Sequence, residues 1–112
     1  FTKDNFSFCL CVQYRQDWQW DYSNASALIN SLAEIGENCI INSKTLVEHG
    51  VKVEDNCHLS TGSIINGDCH IKKNSFVGSN STIIQGVTIG EKSIIGEGKI
   101  VKVNLKNKSV CK

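Results

Sequence analysis

Every sixth residue from Ile29 to Val101 is aliphatic: Ile29, Ile35, Ile41, Val47, Val53, Leu59, Ile65, Ile71, Val77, Ile83, Ile89, Ile95 and Val101, thirteen positions without a break. Neither a helix, with its period of about 3.6, nor an alternating strand, with its period of 2, calls for a spacing of six. A second column keeps the same register. Two residues before each aliphatic stand Ala27, Ala33, Cys39, Thr45, Val51, Cys57, Ser63, Cys69, Ser75, Ser81, Val87, Ser93 and Lys99, all but the last small or β-branched. A small residue and a large aliphatic two apart point to the same side of an extended chain. Each hexad therefore predicts a very short strand with both residues turned inward.

Three residues after the aliphatic, Gly and Asn recur: Asn38, Gly50, Asn56, Gly62, Asn74, Asn80, Gly86 and Gly98. These types accept the positive φ of a sharp corner. Asn38, Asn56 and Asn74 are eighteen residues apart, or three hexads. The pattern predicts an all-β solenoid, a single-stranded parallel β-helix of triangular section with about four coils, over residues 25–103.

The flanks differ. Residues 1–24 carry seven of the eight aromatics and no hexad rhythm. They read as an irregular N-terminal cap, with Phe6 to Val12 as one candidate strand. An aromatic sugar- or nucleobase-binding surface is the functional alternative. Residues 104–112 read as a basic, solvated tail, or as lysines near the phosphates of a nucleotide cofactor. The chain has 112 residues and a net charge of +1, so one domain is expected and nothing argues for a nucleic-acid partner. No run reads as a membrane span or signal peptide, and a cytoplasmic address is expected. Of the six cysteines, Cys39, Cys57 and Cys69 fall in the small inward column, where they read as apolar fillers rather than as disulfide or zinc partners. Met is absent, so a processed or partial product is expected.

Candidate chemistry centres on histidine. His49 stands two residues after an inward aliphatic, at a corner. His58 and His70 each precede one, on outward strand positions, and His70 lies on another face. Gly67 follows His49 by eighteen residues and so stacks beside it, about 4.8 Å along the axis. An imidazole that takes a proton and an N–H that holds an oxyanion are the pair that acyl transfer needs. His49 and His58 are nine residues apart, half a coil, so one chain cannot bring them together. In a three-fold assembly, His49 of one chain faces His58 of the next across a groove.

The hexads resemble the left-handed parallel β-helix of hexapeptide-repeat acyltransferases. The stretch from Asn42 to His49, with His58 and Gly67, is similar to bacterial sugar O- and N-acetyltransferases of the sialic acid O-acetyltransferase and UDP-amino-sugar N-acetyltransferase type. The left hand of the coil is implied by this resemblance and not by the spacing. So is an acetyl-CoA-dependent homotrimer with active sites between subunits, acting on a sugar or nucleotide-sugar acceptor. The resemblance makes His49 the general base, Gly67 the oxyanion donor, His58 an acetyl-CoA contact and Asn42 a residue of the acceptor site. Ser79 is expected to let pantetheine approach the backbone, and no metal is expected. The family often has Asp or Glu after the base, where this chain has Gly50. The family's N-terminal nucleotide-sugar domain is represented at most by Phe6 to Val12, and its Gly-x-Pro-Ala tail has no counterpart. Two other readings remain. One is a noncatalytic coil-stack scaffold. The other is a metal enzyme resembling the γ-class carbonic anhydrases, which requires three histidines to converge at one interface.

Overall fold

A computed structural model describes the backbone of Tyr22–Ser23 and all of residues 27–112. Apart from Tyr22–Ser23, the expected cap over residues 1–24 lies outside the described residues, as does its candidate strand from Phe6 to Val12. Among the described residues, fifteen two-residue strands follow one another: β1 (Tyr22–Ser23), β2 (Leu28–Ile29), β3 (Glu34–Ile35), β4 (Ile40–Ile41), β5 (Leu46–Val47), β6 (Lys52–Val53), β7 (His58–Leu59), β8 (Ile64–Ile65), β9 (His70–Ile71), β10 (Phe76–Val77), β11 (Thr82–Ile83), β12 (Thr88–Ile89), β13 (Ile94–Ile95), β14 (Ile100–Val101) and β15 (Val110–Cys111).

Every third strand stacks in parallel, which makes a three-sided β-helix. Face A is β1-β4-β7-β10-β13-β15, face B is β2-β5-β8-β11-β14, and face C is β3-β6-β9-β12. The register is eighteen residues, as in Ile40↔His58 and His58↔Phe76. The stack reaches about five turns, because β1 and β15 extend it at its two ends. The segment read as a solvated tail thus continues the coil. Leu105 bridges Ile89 and β15 pairs with β13 at a spacing of sixteen, two residues short of a full coil. Asn104 and Asn107 accept the N–H groups of Thr88 and Glu91 at 2.9 Å and help to seat this last turn.

All thirteen hexad aliphatics are at most 3% exposed and form one continuous core. The small column does more than fill space. Thr45, Cys39, Cys57, Cys69, Ser75 and Ser81 each donate a side-chain O–H or S–H to the carbonyl fifteen residues on. The bond bridges a hexad to a corner carbonyl that the strand ladders leave unpaired. The cysteines are therefore donors as well as fillers. Cys39 beside it holds the Cys57 thiol below its usual range, whereas burial pushes Cys69 up.

Ser81 bonds the Gly96 carbonyl at 2.5 Å and accepts the Lys99 N–H at 3.2 Å. Ser81→Ala strips that half-buried carbonyl of its partner, so a loss of about 1–3 kcal/mol is expected in urea unfolding. Ser81→Cys should lose less, because Cys69 already makes the same bond in this fold. Equal midpoints for Ala and wild type would remove the ladder as a source of stability.

Positive φ recurs at the third residue after the aliphatic in every hexad from Leu32 to Gly98. Asp68 adopts it too, and so do Leu32, Lys44 and Lys92, although the last three side chains do not favour it. The stacking imposes the corner, at roughly 1 kcal/mol for each such residue. The three faces differ in their outward side chains. Face A shows Ile40, His58, Phe76, Ile94 and Val110, and face B shows Leu28, Leu46, Ile64, Thr82 and Ile100. Face C shows Glu34, Lys52, His70 and Thr88. Leu28, Ile94, Ile100 and Val110 are between 45% and 61% exposed, a large apolar area to leave in water.

Candidate active site

The chain leaves β5 on face B, turns through Glu48, His49 and Gly50, and enters β6 on face C. One coil on, Asn66, Gly67 and Asp68 make the same turn. His49 is exposed and Gly67 is buried. A methyl group on Gly67 would lie 3.6 Å from His49 Cε1 and 3.9 Å from Nδ1, so the imaging of the two along the stack puts the ring directly beside the glycine backbone. The Gly67 carbonyl accepts the Gly86 N–H at 3.0 Å, but the Gly67 N–H finds no acceptor among the described residues. A proton acceptor and an unsatisfied donor thus stand side by side at the B–C edge.

The acidic neighbours are arranged around this pair. Glu48 accepts a hydrogen bond from Asn30 at 2.8 Å, which holds it toward the coil below. Asp68 donates its backbone N–H to the His49 carbonyl at 3.2 Å. Its Oδ1 lies 2.4 Å from where a Cβ on Gly50 would stand. A carboxylate from the next coil therefore occupies the place of the side chain that Gly50 lacks. Asp68 follows Gly50 by eighteen residues, the stacking period itself.

Face A, opposite that edge, holds a second group. Asn42 Nδ2 lies 3.4 Å from His58 Nε2. The Phe76 ring, one coil on from His58, meets the imidazole edge to face at a centroid distance of 5.1 Å and 82°. Burial lowers the His58 pKa and so favours the neutral ring. At the A–B edge Ser79 Oγ is 2.9 Å from Ser60 Oγ, and the Ser79 carbonyl accepts the Gly98 N–H at 2.8 Å. Asn42 thus stands with His58 and not with His49. Within one chain, the structure brings His49 to Gly67 and Asn42 to His58, and keeps the two pairs apart.

His70 belongs to neither. On face C its Nε2 lies 2.5 Å from Glu54 Oε2, and Glu54 also accepts the Lys73 N–H at 3.2 Å. Burial works to raise the Glu54 carboxyl, but these two bonds together with the charges of His70 and Lys52 hold the group below its usual range. A depression of about 390 Å³ beside this pair is lined by Glu34, Gly36, Lys52, Glu54, Asp55 and Lys73 and touches none of the other candidate residues. Among the described residues no group of three or more His, Cys, Asp or Glu is gathered as a metal site, and no helix is long and apolar enough to cross a membrane.

Solved structures with this architecture include two acetyltransferases. The acetyltransferase domain of PglB from Neisseria gonorrhoeae, in complex with acetyl coenzyme A, superposes with a TM-score of 0.79 at 20% identity over 80% of this chain and 44% of that one. At that identity the likeness is one of fold. A histidine-to-alanine mutant of GDP-perosamine N-acetyltransferase from Caulobacter crescentus, in complex with CoA and GDP-perosamine, gives 0.76 at 28% identity over 80% of this chain and 46% of that one. The chain spans less than half the length of either structure. No curated protein sequence matches it. The family model described as bacterial transferase hexapeptide (six repeats) matches residues 33–67 and again 68–102, most of the stack just described. The chain belongs to that family of hexapeptide-repeat transferases.

Proposed function

We propose that this chain carries the acyl-transfer part of an acetyl-CoA-dependent acetyltransferase acting on an amine or hydroxyl of a sugar or nucleotide-sugar. The observation that carries the reading is the His49 imidazole beside the unpaired Gly67 N–H. His49 takes the proton from the acceptor as its nitrogen or oxygen attacks the thioester carbonyl. The Gly67 N–H holds the oxygen of the tetrahedral intermediate. The intermediate collapses with loss of CoA thiolate, and the proton held by His49 is returned to the departing sulfur. Transfer is direct, with no acyl-enzyme. Asn42 and His58 face the acyl donor, and Ser79 leaves room for pantetheine at the A–B edge.

The donor residues and the base belong to different chains of a homotrimer. The distribution of outward side chains supports this. Faces A and B are apolar and face C is charged, so A and B turn toward neighbours and C toward solvent. The B–C edge with His49 then meets face A of the next chain, which carries Asn42 and His58. The neighbours' complexes with CoA and with GDP-perosamine favour the same substrate classes. The catalysis-free scaffold is favoured by one observation: Glu48 is held by Asn30 instead of His49.

Calorimetric titration with acetyl-CoA, at a concentration where sedimentation gives the oligomeric state, decides between them. One saturable site per chain in a trimer is the expected result. An intact trimer that binds no acetyl-CoA would make the chain a scaffold.

A further inference from the structure

The contact between Asn42 and His58 bears on which ring nitrogen carries the proton. The Asn42 amide nitrogen, a donor only, points at His58 Nε2 across 3.4 Å. An Nε2 that accepts must be unprotonated. Burial favours the neutral ring, and a neutral ring whose Nε2 accepts carries its single proton on Nδ1. Phe76 packs edge to face against the same ring and restricts its rotation. His58 Nδ1 finds no acceptor among the described residues.

We infer that Asn42 is a positioning residue: it fixes His58 as the Nδ1–H tautomer, and that N–H is the donor to the carbonyl oxygen of the acyl group on the bound thioester. This differs from the acceptor-site role that the resemblance implies for Asn42. The ligand half rests on the proposed function, whereas the tautomer half does not. Fixing a tautomer through the other ring nitrogen keeps a donor aimed at the ligand without charging the ring. In effect, His58 becomes a neutral hydrogen-bond donor that keeps its role across the neutral pH range.

The test combines ring-nitrogen NMR of the 15N-labelled full chain with two variants, Asn42→Ala and Asn42→Asp. Both should fold, because Asn42 is tied into the stack by its backbone: its N–H donates to Leu59 at 2.9 Å and its carbonyl accepts from Thr45 at 3.3 Å. His70, bound to Glu54 on face C, is an internal reference whose signals should not move. At alkaline pH, wild-type His58 should show a protonated Nδ1. In Asn42→Asp the carboxylate only accepts, so the proton moves to Nε2, and in Asn42→Ala the ring loses its enforced tautomer. A protonated Nε2 in the wild type, or spectra unchanged in both variants, would overturn the assignment.

Calorimetry reads the ligand half. Asn42→Asp should weaken acetyl-CoA about tenfold, the loss of one hydrogen bond, and leave CoA unchanged, because CoA lacks the acyl carbonyl. Equal losses for both ligands would overturn the carbonyl contact. If the wild type binds neither ligand, the proposed function fails while the spectrum still decides the role of Asn42.

Discussion

Replacing His49 with alanine is expected to lower acetyl transfer by about 10²–10⁴-fold, the usual range for loss of a general base, and to leave acetyl-CoA affinity within about twofold. The separation follows from the geometry. His49 is exposed at the B–C edge, and no hydrogen bond of its side chain is present among the described residues, so the imidazole contributes nothing visible to the stack. Its backbone carbonyl, which accepts the Asp68 N–H at 3.2 Å, survives the substitution. The corner's positive φ belongs to Gly50, not to residue 49, so alanine meets no backbone strain there. Binding of the acyl donor is assigned to Asn42, His58 and the Ser79 region on face A and should persist. A single-turnover assay with a saturating amino-sugar acceptor reads the rate, and calorimetry reads the affinity. More than a few per cent of wild-type activity would remove His49 as the base. A parallel loss of affinity would mean that it holds the donor instead.

The hexad spacing made the fold legible because one column, buried throughout, sets strand, coil length and axis at once. The aliphatic at every sixth position and the small residue two before it are all that the core needs, and the family's coil is left-handed. Hidden from that pattern were contacts that depend on how one coil sits over the next. The donor ladder connects residues fifteen apart, such as Cys57 to Lys72. A cysteine there looks apolar by composition, and only the position of the corner carbonyl reveals it as a donor. Asn42 and His58 are sixteen apart and meet diagonally across the first face, so an eighteen-residue comparison misses them. Gly67 beside His49 was legible because it follows the stacking period itself. The tail escaped because its spacing drops to sixteen, which breaks the aliphatic register that had defined the coils. Corners at Leu32, Lys44 and Lys92 escaped because the stack overrides local preference there.

Gly78→Ala should cost about 3 kcal/mol in urea unfolding. A Cβ at this position would lie 2.6 Å from the Gly96 carbonyl carbon and 2.8 Å from both the Gly96 oxygen and the Glu97 nitrogen. All three are backbone atoms of the next coil, so no side-chain rotation relieves the overlap. That backbone is itself held. Gly96 accepts the Ser81 hydroxyl at 2.5 Å, and Gly78 donates its own N–H to Ile95 at 2.7 Å. Separating the coils to admit the methyl would strain both bonds. Gly86 is the contrasting case. It has a φ of +79 but nothing within 4 Å of an added Cβ, so Gly86→Ala should lose only about 1 kcal/mol through its backbone conformation. The two glycines separate close approach from left-handed geometry as reasons for the residue. Similar midpoints for the two variants would mean that the coils yield and that this edge is not tightly interlocked. A large loss at Gly78 alone would establish a rigid A–B edge beside Ser79, where the acyl donor is proposed to run, and it would make weakened acetyl-CoA binding a secondary effect of displaced backbone.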